Sequence, residues 1–376
     1  MKDTVGLYIH IPFCKNKCFY CDFPSFSGKE SLMIDYAKAL SKEIEGLCQN
    51  KLISTIFIGG GTPTYLCIKG WEIIAKSIKK LNFVNKDFEF TVEGNPNSFN
   101  EEQLEIFKSI GVNRISMGLQ AVQEHHLKSI GRIHTIEDFK KSYTMLREHG
   151  FNNINVDLMF GLPNQTLKEW IESLEQVIAL KPEHLSCYSL IIEEGTKFYN
   201  LYESESLILP NEDVERGMYA VTKDILKKNG YEQYEISNYA KKGLECKHNK
   251  IYWKLNNYIG CGSSSHSYMN GIRYRNESNI EKYIGRMNEA NTGVVEEIKN
   301  SEKDDIEEFI FLGLRLTEGI DIQEFQQRFG ISIFHKYKEI IEKYVQMELL
   351  KLEEGRLFLT SKGMEFSNQV MSDFIL

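Results

Sequence analysis

Residues 1–23 read MKDTVGLYIHIPFCKNKCFYCDF, and this stretch decides the fold. An apolar run suited to a strand, VGLYIHI (5–11), opens into a polar turn that carries Cys14, Cys18 and Cys21. A strand whose C-terminal end leads straight into reactive side chains is the habit of parallel α/β folds, which place their chemistry in the loops after the strands. Three thiols in one turn also raise a question of number, because structural zinc sites and most cluster sites take four protein ligands. The spacing CxxxCxxC brings three thiolates within reach of one iron–sulfur cluster and leaves one iron open to a small molecule. Lys15 and Lys17 in the same loop favour the ionised thiols. The alternative on the same residues is a zinc site completed by His10 or a more distant donor.

Working outward, further short apolar runs follow: STIFIGG (54–60), FEFTVE (88–93), RISMGL (114–119), INVDLMFG (154–161) and HLSCYSLII (184–192). Helical patterns lie between them at 32–47, 101–110, 136–148 and 167–180. This alternation predicts a parallel sheet with crossover helices, six β/α units by about residue 195 and two short of a closed barrel of about eight. Past about residue 210 the rhythm changes. A helix over 214–228 leads to CKHNKIYW (246–253) and YIGCGSSSHSYMNG (258–271), rich in Gly, Ser and aromatics and poor in periodicity. Residues 303–376 read as helices, two short strands in KLEEGRLFLT and a final helix, an appendage of winged-helix type. The expected organisation is a core domain over 1–240, a connecting region over 241–302 and a C-terminal domain over 303–376.

Composition sets the outer limits. The chain has 376 residues, 42% hydrophobic, with a net charge of −8. No apolar run approaches the roughly 18 residues that a membrane-spanning helix needs. The N-terminal apolar run is too short for a signal peptide, so the Cys-rich turn is expected to be retained. Eight cysteines, five of them scattered, do not make a disulfide scaffold, and a reducing cytoplasm fits best. The acidic balance argues against nucleic acid as a partner. The segment 301–376 carries 9 basic against 15 acidic residues, which favours a lid or docking role over DNA binding.

The other candidates also sit at strand ends. GGGTPT (59–64) exposes backbone to a polar ligand but lacks the ending of a P-loop. Glu93 and Asp157 are carboxylates suited to ribose hydroxyls or an amino group, with helix capping or a loop ion pair as the alternative. Gln120 and Arg132 follow the fourth strand, and Arg132 suits a carboxylate partner.

Taken together, CxxxCxxC after the first strand, GGGTPT after the second and EGNP after the third resemble the radical S-adenosylmethionine superfamily. That resemblance implies a partial (β/α)6 barrel and a [4Fe–4S] cluster held by Cys14, Cys18 and Cys21, with the methionine end of S-adenosylmethionine on the open iron. In that family a reduced cluster passes one electron to the sulfonium and releases a deoxyadenosyl radical. YIHIPFC, GVNRISMGLQ, GRIH, VDLMFGLPNQT and EEGT are similar, over about residues 1–240, to the oxygen-independent coproporphyrinogen III oxidase group. The resemblance implies that Tyr8 lies near the sulfonium and that Gly60, Gly61 and Thr62 line the methionine side. It implies that Glu93, Gln120, Arg132 and Asp157 line the nucleoside site, with Tyr20 near adenine.

Two departures separate the branches of that group. The oxidases extend the motif to CxxxCxxCxC, whereas position 23 here is Phe23. They also carry a longer arm before the motif, whereas this sequence reaches its first strand within ten residues of Met1. Both resemble the haem-chaperone subgroup, whose HNxxYW signature matches His248, Asn249, Tyr252 and Trp253. The resemblance implies that haem is a further ligand, that haem-receiving proteins such as respiratory enzymes are partners, and that His248 ligates the iron. His266 and Cys246 are rival ligands. The competing reading is a radical enzyme that decarboxylates a porphyrinogen.

Overall fold

A computed structural model describes residues 4–85 and 88–375. Six strands run parallel and in sequence order: β1 (Thr4–Ile11), β2 (Leu52–Gly60), β3 (Glu89–Gly94), β4 (Arg114–Gln120), β5 (Ile154–Phe160) and β6 (His184–Ser189). Each lies within a few residues of its predicted run, and helices connect them as expected, so the fold is the partial (β/α)6 barrel. Central strands are buried on nearly every residue, as parallel strands covered on both faces must be; all seven residues of β4 are buried.

Two short strands, β7 (Glu232–Gln233) and β8 (Asn238–Ala240), extend the sheet beyond β6. The other flank differs from expectation. The stretch 241–302, read as a connecting region, supplies β9 (Tyr258–Cys261), β10 (His266–Met269), β11 (Ile272–Asn276) and β12 (Val294–Lys299), which continue the same sheet from β1 outward. β9 runs parallel to β1, and the chain then folds back in antiparallel pairs. The Gly- and Ser-rich turn that hid this pattern is a close backbone approach. Gly262 sits at φ +103°, and a Cβ there would lie 2.6 Å from the His10 carbonyl oxygen.

Residues 302–374 build a second apolar core from three helices (Glu302–Gly313, Ile322–Phe329, Ile333–Gln346) and a hairpin of β14 (Leu350–Glu353) and β15 (Arg356–Leu359), with β13 (Ile320–Asp321) beside it. This is a winged-helix arrangement. It is fastened to the barrel by polar contacts as well as apolar ones. Tyr268 Oη donates to Asp305 at 2.8 Å, Arg328 donates to the Leu255 carbonyl at 2.6 Å, and Arg315 meets the fully buried Glu235 at 3.2 Å. Among the described residues no helix is long and apolar enough to cross a membrane.

Candidate functional site

The loop after β1 is held by its neighbours before any ligand is considered. Phe13 and Phe26 form an isolated bridge, with Phe26 N donating to Pro12 O at 2.8 Å and Cys14 N to Phe26 O at 3.0 Å. Phe19 N donates to Ile130 O at 3.0 Å, and Asn16 Nδ2 to Gly131 O at 2.8 Å. Cys14 is buried, and Cys18 and Cys21 are half-buried. Burial pushes the Cys21 thiol up, Lys17 pulls it down, and charge on Cys18 or Cys14 raises it, so both other sulfurs sit within electrostatic reach of Cys21. Gly61 lies against them: a Cβ there would fall 3.0 Å from Cys14 Sγ.

His10 fixes this loop and does not complete a metal site. Its Nε2–H donates to the Pro24 carbonyl at 2.8 Å, which leaves Nδ1 to accept from Tyr8 Oη at 3.0 Å. Burial lowers its pKa to about 4, so the ring is neutral. Neither nitrogen is free, and the zinc alternative through His10 fails for that reason.

A chain of contacts then ties the loops after four strands together. Arg132 Nη2 donates to Tyr20 Oη at 3.0 Å and Nη1 to Asn95 Oδ1 at 2.6 Å. Asn95 Nδ2 donates to Thr62 Oγ1 at 2.9 Å, which lies 3.5 Å from Cys14 Sγ. Beside it opens a cleft of about 540 Å³ lined by Cys18, Thr62, Asn95 and Arg132 among others. Asn95 was not singled out from the sequence, although it sits inside the EGNP motif that was.

Glu93, Gln120 and Asp157 do not line that cleft; they lie deeper, within the barrel. Burial and the charge of Asp157 push Glu93 up to about 8. It packs on Gly59, where a Cβ would meet Glu93 Oε2 at 2.7 Å. At Gly60, with φ +110°, a Cβ would strike the His10 ring at 2.4 Å. Asp157 is also raised, chiefly by burial, although Asn155 Nδ2 donates to it at 2.7 Å. Gln120, at φ +76° beside a register shift in the β4–β5 pairing, accepts from Tyr188 Oη at 2.9 Å. Two carboxylates facing one interior call for a cation or for hydroxyl donors.

His248 is placed elsewhere. It sits at the opposite, N-terminal end of the strands, where the helix Lys247–Trp253 plugs the barrel. Glu89 of β3 caps that helix, accepting from Lys247 N and His248 N at 2.9 Å each. The His248 ring is fully buried and stacks on Phe57; Nδ1 lies 2.7 Å from Thr55 Oγ1 and Nε2 2.8 Å from Tyr252 Oη. Burial lowers its pKa to about 3. The expected haem-ligating role is corrected on this point: both nitrogens are engaged and the ring reaches no open space. Cys246 is equally enclosed, its thiol pushed up to about 12 by burial and by Glu89. His266, at the start of β10, is exposed.

The model of the radical SAM superfamily matches residues 8–177, and that of the HemN C-terminal domain matches residues 300–366. The chain is 38% identical to the heme chaperone HemW of Bacillus subtilis (strain 168), over 98% of each chain. It belongs to the HemW family of radical SAM proteins. The HemW of Escherichia coli (strain K12) is 38% identical over 70% of this chain and 69% of its own. The solved E. coli coproporphyrinogen III oxidase (HemN) superposes with a TM-score of 0.85 over 99% of this chain and 90% of that one; at 22% identity the likeness speaks for the fold.

Family membership implies a [4Fe–4S] cluster and S-adenosylmethionine. The residues fit them: three clustered thiols without a fourth, glycines that leave backbone bare beside Cys14, and a raised carboxylate facing a second one. The fourth cysteine of the oxidase motif is replaced by Phe23, whose side chain is exposed at the rim.

Proposed function

We propose that this protein is a cytoplasmic haem chaperone, which binds haem and delivers it to haem-receiving proteins such as respiratory enzymes. The observation that carries this reading is the full-length likeness to HemW at 38% identity, together with Phe23 at the position of the oxidases' extra cysteine. In this reading Cys14, Cys18 and Cys21 hold the cluster. Gly60, Gly61 and Thr62 lie along the methionine end of S-adenosylmethionine. Glu93, Gln120, Arg132 and Asp157 take the nucleoside and amino groups, with Tyr20 and Tyr8 closing the two ends. When bound, this pair supplies one-electron chemistry at the sulfonium; the chain's part is to position and shield it. Three units carry the function: a core over 1–240, the 241–302 flank and the 303–376 domain as lid or docking module.

For haem iron we assign His266 in place of His248. His266 is an exposed residue, and desolvation followed by the charge of Arg275 lowers its pKa, which favours the neutral, ligating imidazole. Its cross-strand partner is Arg275, whose Nε donates to Glu296 at 2.7 Å. The deciding experiment is anaerobic incubation of the cluster-loaded protein with coproporphyrinogen III, S-adenosylmethionine and reductant. The chaperone reading expects no decarboxylated product; steady turnover would replace it by the oxidase reading.

A further inference from the structure

After β4, two histidines and a glutamate converge without any role in the site above. His125 and His126 lie on the short helix Glu124–Ser129 after β4, and Glu169 lies on the helix Leu167–Ala179. One carboxylate oxygen faces each ring: His125 Nε2 is 3.0 Å from Glu169 Oε1, and His126 Nε2 is 3.4 Å from Glu169 Oε2. All three ligand atoms fall within 4.8 Å of one another. The His126 side chain is 1% exposed, yet its Nε2 makes no hydrogen bond. A buried imidazole nitrogen that lies beside a carboxylate without a hydrogen bond is a costly arrangement, because its polar atom is desolvated and uncompensated. A cation between the two removes the cost.

We propose that His125, His126 and Glu169 form a site for a divalent ion of the zinc class. Two imidazoles and a carboxylate are the donor set such ions take, and bonds of about 2.0–2.2 Å require ligand atoms about 3.3–3.5 Å apart, comparable with the 3.0 and 3.4 Å between the carboxylate and the two rings. The carboxylate is already oriented, because Glu169 Oε2 accepts from Thr166 N at 2.9 Å and Thr166 Oγ1 at 2.7 Å in a capping box. The exposed flank at His125 leaves a fourth position to water. The helix 124–129 runs directly into Gly131 and Arg132, so a bound ion clamps the arm that carries Arg132 onto the helix 167–179. Its role is that of a brace on the cofactor mouth, and no chemistry passes through it.

The test uses the cluster-reconstituted protein, dialysed anaerobically against buffered Zn²⁺, with zinc, iron and sulfide measured together. One zinc per chain is expected, with iron and sulfide unchanged. His125→Gln removes an exposed ligand, and Glu169→Gln keeps a side chain able to serve the capping box. Each is expected to lower zinc affinity at least tenfold while leaving the cluster intact. The zinc X-ray absorption spectrum is expected to show nitrogen and oxygen neighbours only. A sulfur shell near 2.3 Å would put the ion on the cysteines and overturn the proposal. Failure of the wild-type protein to retain zinc, or wild-type affinity in both variants, would overturn it as well.

Discussion

The two ends of the barrel are built from the same kinds of residue and are put to different uses. At the N-terminal end Glu89, His184, Cys246 and His248 are buried and hydrogen-bonded, His184 to Asn155 and Tyr234, and His248 to Thr55 and the half-buried Tyr252. Glu89 accepts from two backbone amides, and both nitrogens of His184 and of His248 are paired. At the C-terminal end three thiols share one loop with no fourth thiol beside them among the described residues, and the buried Glu93 carboxyl is raised by its burial and by the charge of Asp157. A buried polar group whose every donor and acceptor is paired, as in His184 and His248, is structural, however chemical it looks in a sequence. One left wanting marks where a ligand goes. His10 is the instructive exception: it lies at the reactive end, and its two bonds make it a fastener for the cluster loop.

The sharpest way to break this contrast is through the cysteines. Cys14→Ser, Cys18→Ser and Cys21→Ser are each expected to abolish most iron and sulfide binding, because two thiolates hold a four-iron cluster poorly. Cys187→Ser and Cys246→Ser are expected to retain it, as measured by iron and sulfide analysis after anaerobic reconstitution. If Cys246 proved as necessary as the triplet, the division between the two ends would fall.

Next in size is His248→Ala. It leaves Thr55 and Tyr252 without a partner and opens a cavity under Phe57, so a loss of about 3 kcal/mol in stability is expected in denaturant unfolding. Cluster content and haem binding should be unaffected. A stable variant with altered haem absorbance would return His248 to the ligand role.

Glu93→Ala and Asp157→Ala are expected to weaken S-adenosylmethionine binding by about 1–3 kcal/mol each, with cluster content unchanged in calorimetry on the reconstituted protein. The first of these carboxyls also gives a pH dependence. The Glu93 carboxyl titrates near 8 in the fold and near 4.5 when unfolded. Below the lower value it is protonated in both states and costs nothing. Between the two the folded state holds the extra proton, so stability falls as pH rises, and above 8 the loss is complete. Glu93→Gln should therefore raise the thermal midpoint of the ligand-free protein by a few degrees at pH 9 and hardly at pH 5. A gain independent of pH would remove the buried-carboxylate account.

Much of this was legible in the sequence. The six strands appear as short apolar runs because parallel strands are buried on both faces, and the helical periodicity between them marks the crossover helices. The thiols and strand-end motifs stood out because their spacing is unusual for a structural role. What could not be read was partnership between distant residues. Nothing in CKHNKIYW tells that Glu89, far upstream, caps its helix, or that Thr55 occupies His248. The strands β9–β12 were missed because they are short, interrupted by glycine and stabilised by pairing on to β1. Asn95 carries the link between Arg132 and Thr62, and only the fold brings those three loops together.

The most direct test of the central claim is an anaerobic haem titration of the cluster-loaded wild-type protein beside His248→Ala and His266→Ala, followed at the Soret band. The account predicts saturable binding of haem with one iron–imidazole spectrum in the wild type. The same spectrum is expected in His248→Ala, and a shifted band with weaker binding in His266→Ala. Absence of saturable haem binding in the wild-type protein would contradict the chaperone reading itself.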